Sequence, residues 1–417
     1  MKKIQNVVIG SVRSITAMKP NVKKLLTSTA LNSFSQGMFL VVFNLYILNM
    51  GISADILGII VGAGPYAQAL GSIPIGFLME KIGFKKVFLM IYIGTALARI
   101  VQVSTASIPI IILAGVSGGL AMAGDFVVRL PFLAENTDPE QHNEVYSFNS
   151  VLSSGSMALG SLLGGLLPGI LIPFANNSLT LSYRYTLFIA GFIALIAVLP
   201  IIKINEKPFV QTKKISLSPY IWGADKFTVK QACVSLFVGL SFGVVSLFMN
   251  IFFVYHLGTS LEYFGSVSAL VIIPALLATT IAPMVAKVIG TVRTVTIFRW
   301  IASLFLVIFS LISSPIIGAM SFWMIRSVTG ASQPLSFSFA MREAKDKAKA
   351  ATSAWLNVTF WAGNGIAASV SGFFIIQSNY RTLILMAAGS ILIAGLLNEV
   401  FFHRLDAKRH MMKVSEG

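Results

Sequence analysis

The stretch Gly51-Ile-Ser53-Ala-Asp55-Ile-Leu-Gly58 returns 207 residues later as Gly258-Thr-Ser260-Leu-Glu262-Tyr-Phe-Gly265. Further echoes follow in order. Glu135, Asn149, Gly155 and Gly164 meet Glu343, Asn357, Gly363 and Gly372 at an offset of 208, and Tyr183-Arg184 is echoed by Tyr380-Arg381. Each match alone is weak, but matches in order at a nearly constant offset mark an internal duplication, and repeats of this kind decide folds.

Composition says what is duplicated. Of 417 residues 56% are apolar and 11% charged, with a mean hydropathy of +0.82, whereas a soluble chain carries about 25% charged residues. A water-facing surface could not be covered, which excludes a soluble globule, a coiled coil, a disordered chain and a nucleic-acid binder despite the net charge of +16. The single cysteine, Cys233, rules out a disulfide framework and a thiolate metal cluster. The chain reads as a polytopic membrane protein.

Apolar stretches of about 20 residues suffice to cross a bilayer. Twelve are expected, over 26–50, 55–79, 87–106, 109–134, 146–172, 185–203, 231–256, 263–287, 293–313, 315–340, 351–376 and 382–402. Both duplicated octets then fall in the turn between the first two spans of a half. Six spans per half is an even number, so the halves share one orientation and are related by a pseudo-two-fold along the membrane normal. The expected organisation is a basic arm (1–25), a six-helix bundle (26–203), a polar linker (204–230), a second six-helix bundle (231–402) and a tail (403–417).

Twenty-five of the 31 basic residues fall on one side, in the arm, the linker, the tail and the loops between spans 2 and 3, 8 and 9, and 10 and 11. Arg184 and Arg381 lie on the other side. The positive-inside rule makes the basic side, with both termini, cytoplasmic and places the chain in the cell membrane. The basic first 24 residues lead into a run long enough to span, so no cleaved signal peptide is expected.

The loop after span 2 reads Gly76-Phe-Leu-Met-Glu80-Lys81-Ile-Gly83-Phe-Lys85-Lys86, and a decayed copy (Pro283 to Lys287, Gly290, Arg293) follows span 8. In position, spacing and sidedness this resembles the signature of the major facilitator superfamily. The resemblance implies an all-α fold of two six-helix bundles, no cofactor, and a solute site between the bundles. It also implies a latch for the outward-facing state, carried over to Gly76, Glu80, Lys81, Gly83 and Lys85, with Glu135 as the acidic partner. Physically, a carboxylate embedded in a basic loop can meet the positive N-terminus of a neighbouring helix. The plainer alternative is solvated anchoring charge. Glu80 stands where the family usually has Asp, and span 4 lacks the Arg often linked to proton coupling. Gly160-Ser161-Leu-Leu-Gly164-Gly165 resembles the antiporter pattern Gly-Pro-x-x-Gly-Gly with Ser for Pro. Close packing through small residues explains it at least as well, so export is a lean only.

Ionisable groups at membrane depth are functional candidates by default. Asp125 and Arg129 share one face of span 4 at i and i+4, and protonating Asp125 would free Arg129, giving a proton-linked switch. A static pair is the alternative. Arg326, about 17 Å into span 10 by helical rise, should face the same cavity from the other half, unless carbonyls cap it. Arg99 and Arg299 lie nearer span ends and are expected to snorkel. Asn32, Gln36 and Asn44 recur at multiples of four in span 1, Ser246 and Asn250 are four apart in span 7, and Tyr66 and Gln68 (span 2) with Asn357 and Trp361 (span 11) extend the set. Together they would suit an amphipathic organic solute, though such groups also bond to neighbouring helices. Asn398 and Glu399 are expected at the interface.

Gly115-Val-Ser117-Gly118-Gly119 fits Gly-x-Ser-x-Gly, but no histidine lies at membrane depth to serve as base. No phosphate-binding loop occurs either, so neither an enzyme nor an ATP-driven pump is expected. What remains is a monomeric secondary transporter, proton-coupled through Asp125, without metal or nucleic-acid partner. An uptake symporter, a facilitator or a lipid translocase on the same fold are the rivals, and an intramembrane enzyme or sensor is remote.

Overall fold

The computed structural model describes residues 18–138, 141–206, 220 and 223–415, with the side chains of 76, 77, 80, 126, 127, 143 and 406–415 outside the description. Twelve long helices run back and forth: α1 (Pro20–Asn49), α2 (Ala54–Ile82), α3 (Phe84–Ser104), α4 (Ile108–Glu135), α5 (His142–Leu171) and α6 (Leu179–Ile196, with a further turn Val198–Ile202). The second set is α7 (Lys226–Leu247), α8 (Leu261–Leu270, resumed as Ile272–Ile289), α9 (Thr291–Leu311), α10 (Pro315–Glu343), α11 (Lys349–Ile376) and α12 (Tyr380–Ser415). α1 begins inside the stretch assigned to the arm, and α12 continues into the tail.

Local sequence explains the punctuation. Pro20 and Pro315 open their helices at positions where a missing N–H costs nothing. α8 breaks at Val271, three residues before Pro274, whose ring cannot continue the ladder. Asp225 accepts the backbone N–H of Thr228 at 2.9 Å and caps α7. Among the described residues eleven helical segments are long and apolar enough to cross a membrane; α10, at 29 residues, is long enough but less apolar.

Backbone geometry repeats as the sequence does. Gly51 and Gly258 have φ of 83° and 65°, and Gly83 and Gly290, which alone separate α2 from α3 and α8 from α9, have φ of 87° and 90°. Both pairs lie 207 apart and need a residue without Cβ. The expected offset of 208 fails in the last helices of each half. Gly160 of α5 packs on Phe34 of α1, while Gly363 of α11 packs on Leu236 of α7, which fixes the offset there at 203. Gly155 therefore is not the partner of Gly363, nor Gly164 of Gly372. Past the glycines of α7 the chain runs on through Met249–Ile251 and a π-turn Phe252–His256, and the register moves from 202 at those glycines to 207 in α8.

Within the first half α1 packs on α5 and α6, and α4 on α2 and α3; within the second α7 packs on α11 and α12, and α9 on α10 and α12. The halves meet through α2 against α11 and α5 against α8. A helix interface inside a bilayer gains from close van der Waals contact rather than from expelling water, so glycines line these seams.

Candidate functional site

At the end opposite the basic loops the two halves close by a symmetric contact. A Cβ on Gly58 would lie 2.8 Å from the Ala368 carbonyl oxygen, and one on Gly165 would lie 2.9 Å from the Cα of Gly265. These are the same contact, exchanged between halves. Likewise Asp55 lies against Gly372 and Glu262 against Gly169, so the acid of each duplicated octet sits on a glycine of the other half. Of the antiporter-like run, Gly160 and Gly164 pack on α1, while Gly165 and the Ser161 carbonyl meet Gly265 of the other half. Contacts of this kind extend to Tyr66, whose ring covers Gly365, about 18 Å along α2 by helical rise.

Two candidate amides lock the same end. Asn44 donates from Nδ2 to Asn250 Oδ1 at 3.2 Å and to the Leu247 carbonyl. Asn250 donates back to the Val41 carbonyl at 3.0 Å, and its Oδ1 also accepts the N–H of Ile251. Both are buried, 4% and 2% exposed, and they tie α1 to the end of α7 and the turn that follows it. Asn357 donates to the Ser353 carbonyl of its own helix at 3.0 Å, Trp361 meets Phe360 edge-on at 5.2 Å, Gln36 is part-buried on α1, and Tyr66 is 38% exposed.

The charged groups separate into distinct sites. Arg129 and Asp125 form a two-pronged ion pair, Nε to Oδ1 at 3.2 Å with Nη2 on Oδ2, within electrostatic reach of Tyr92 inside the first bundle. Arg326 stands apart in a cleft shared by α7 and α10, with its guanidinium 5.3 Å from the ring centre of Phe242. Arg99 and Arg299 do not snorkel. They are 5% and 4% exposed. Arg99 donates to Asn32 Oδ1 and Ser35 Oγ at 3.2 and 2.6 Å, and Arg299 to the Ala394 carbonyl and Ser336 Oγ at 3.2 and 3.1 Å. Depth along a helix was a poor guide, because local acceptors spare the side chain the reach to water. Asn32 thereby leaves the cavity set: four residues turn a helix by about 400°, so a row of such steps drifts off one face. Asn398 is buried at 4%, donating to the Val292 carbonyl and Thr296 Oγ1, and so ties α12 to the start of α9.

At the basic end, Gly83 joins α2 to α3, and the carboxylate on the N-terminus of α3 comes from the linker. Glu206 accepts the backbone N–H of Phe84 at 2.8 Å and of Lys85 at 3.0 Å, one on each oxygen. Asn21 ties the same segment to α1 through Asn205, giving 2.7 Å to its carbonyl and taking 3.1 Å from its N–H. Glu135 is exposed, and no ion pair joins it to Lys81 or Lys85 among the described residues. The Gly76 backbone is helical, while the Glu80 side chain lies outside the described residues.

The sequence model described as Major Facilitator Superfamily matches residues 25–228, the half that carries this loop. The half of the chain that it covers belongs to the major facilitator superfamily. The fold extends the likeness to both halves. A variant of the nucleoside transporter NupG superposes with a TM-score of 0.76 at 14% identity, over 92% of this chain and 100% of that one. A bacterial homolog to the human lysosomal transporter Spinster, inward-facing and occupied, gives 0.69 at 15% identity over 91% and 95%. The same homolog, inward-facing and unoccupied, gives 0.63 at 17% over 94% and 96%. No curated protein matches the sequence.

Sequence reasoning missed two polar groups. Glu206 carries no local signal, since its partners lie 121 and 122 residues away. Asn364, 1% exposed against Gly243 of α7, has neither amide atom bonded among the described residues. At the corrected offset it is the counterpart of Ser161, a correspondence that the 208 register hid.

Proposed function

We propose that the chain is a secondary transporter that moves a small organic solute across the cell membrane by alternating access, as a monomer with its basic end and both termini in the cytoplasm. The first and second six-helix bundles, 26–203 and 231–402, rock about a site between them. What supports the reading most is the symmetric closure of the halves at one end, Gly58 on Ala368 and Gly165 on Gly265, while the inner part of α5 keeps Ser147, Ser150 and Val151 exposed. On this reading the conformation is inward-facing, and Glu80, Lys81 and Lys85 engage Glu135 only when the basic end closes.

Asp125 carries the coupling proton. Ionised, it holds Arg129; protonated, it releases a cation that must find another partner at membrane depth, which favours a change of state. Gln36, Tyr66, Asn357 and Trp361 line the solute path, and Asn44 and Asn250 seal its outer end. Export is the favoured direction. The test is transport into and out of proteoliposomes bearing a pH gradient, after a thermal-shift screen has found a solute; nucleosides, named for NupG, make a first set. Asp125→Asn should bind the solute and lose gradient-driven movement. Gradient-driven movement that survives Asp125→Asn ends the coupling assignment, and everted vesicles give the direction.

A further inference from the structure

Four arginines lie within the spans, and three of them have acceptors supplied by the protein itself. Arg129 has a carboxylate, and Arg99 and Arg299 have hydroxyl, amide or carbonyl acceptors. Arg326 has neither. Among the described residues its guanidinium makes no hydrogen bond and no ion pair, and it rests on the face of Phe242. A cation held at membrane depth needs a partner, because removing it from water is costly unless the charge is met. A ring face offsets part of that cost and leaves the five edge donors unused.

The walls of the cleft offer donors. The Thr329 and Ser332 hydroxyls donate to the Ile325 and Thr329 carbonyls of their own helix. Ser241 has no hydroxyl partner among the described residues, and Gln333 brings an exposed amide to the same cleft. A guanidinium fork, a free hydroxyl and an amide, with no carboxylate nearby, suit a planar or tetrahedral anion held by charge-assisted hydrogen bonds.

We infer that the solute carries an anionic group, a carboxylate or a phosphate, that pairs with Arg326 in the cleft between α7 and α10. The inference rests on the reading of the chain as a transporter, and the same chemistry is available from a soluble solute or from an anionic lipid headgroup.

The experiment uses the full chain in nanodiscs, with benzoate, phenyl phosphate and neutral benzamide as soluble probes and phosphatidylglycerol against phosphatidylcholine as the lipid arm. In phosphatidylcholine discs benzoate or phenyl phosphate should raise the melting temperature and benzamide should not. Arg326→Gln should weaken that response on the order of 30-fold, the loss typical of removing one member of a buried charge pair. Arg326→Lys, which keeps the charge, should fold and retain the preference for anions at lower affinity. Stabilisation by phosphatidylglycerol alone, lost in Arg326→Gln, identifies the anion as a lipid headgroup. Equal shifts from benzamide and the anions, no shift from any anion, or an unchanged response in Arg326→Gln and Arg326→Lys overturn the inference. Maleimide labelling of the two ends, run on the same samples without probe, decides the transport reading separately.

Discussion

Single carboxylates fix the ends of two helices, and their effects are separable. Glu206 meets the first two amides of α3 with one oxygen each, and a lost N-cap costs about 0.5–2 kcal/mol. Glu206→Ala should therefore lower the melting temperature, whereas Glu206→Gln, which keeps one acceptor without the charge, should lower it less. Equal, negligible effects would mean that the contact contributes nothing. Asp225 adds a pH signature. Its bonds to the Thr228 N–H and hydroxyl hold its carboxyl below the ordinary aspartate value. A depressed folded-state value means that the stabilisation is complete above the ordinary value and is lost as pH falls from there through the folded one. The difference in melting temperature between wild type and Asp225→Ala should be constant near neutrality and shrink below about pH 4. A difference that grows on acidification would contradict this sign. Asp225 and Ser260, each three residues before a helical amide that they cap, follow a local rule. Glu206 and Arg99 do not, because their partners come from other helices, and side-chain position along one helix says little about which neighbour supplies an acceptor.

Helix pairs carry the duplication further than residues do. Gly51, Gly83 and their counterparts 207 residues on were legible because backbone geometry demands glycine at a turn. The last helices of each half were legible as spans but not in register, since glycines recur along them often enough to align at 208 as well as at 203. Contact with a partner helix settles it: Gly37 and Gly160 seal α1 to α5 as Gly239 and Gly363 seal α7 to α11. This separates two kinds of glycine. Gly160 lies inside one half, so Gly160→Val should reduce folding yield and melting temperature. Gly165 lies between halves, where a Cβ would meet Gly265 Cα and the Leu261 carbonyl oxygen at 2.9 Å. Gly165→Val should leave the halves folded and hold that end apart. With Cys233→Ser as background, it should raise labelling of Ser246→Cys by an impermeant maleimide added outside. Labelling no greater than in the parent would remove Gly165 from the closure.

For the whole molecule, composition and the positive-inside pattern were enough for the class, and the octet with the Gly83 loop for the family. The conformation was not legible. Nothing in one chain says which end is closed, because the same helices pack in either state and the choice rests on a few kcal/mol. The closure seen here is Asn44 on Asn250 and Tyr66 on Gly365, and among the described residues no ion pair joins Lys81 or Lys85 to Glu135. Two pairs of exposed positions report both ends at once: Asn177 with Ser378 beyond the closed end, and Lys86 with Lys347 at the basic end. With each pair spin-labelled on a Cys233→Ser background, double electron–electron resonance should give two populations per pair. Gly165→Val should shift them reciprocally, lengthening Asn177–Ser378 and shortening Lys86–Lys347. Distances that stay single and fixed, or that lengthen together at both ends, would contradict alternating access.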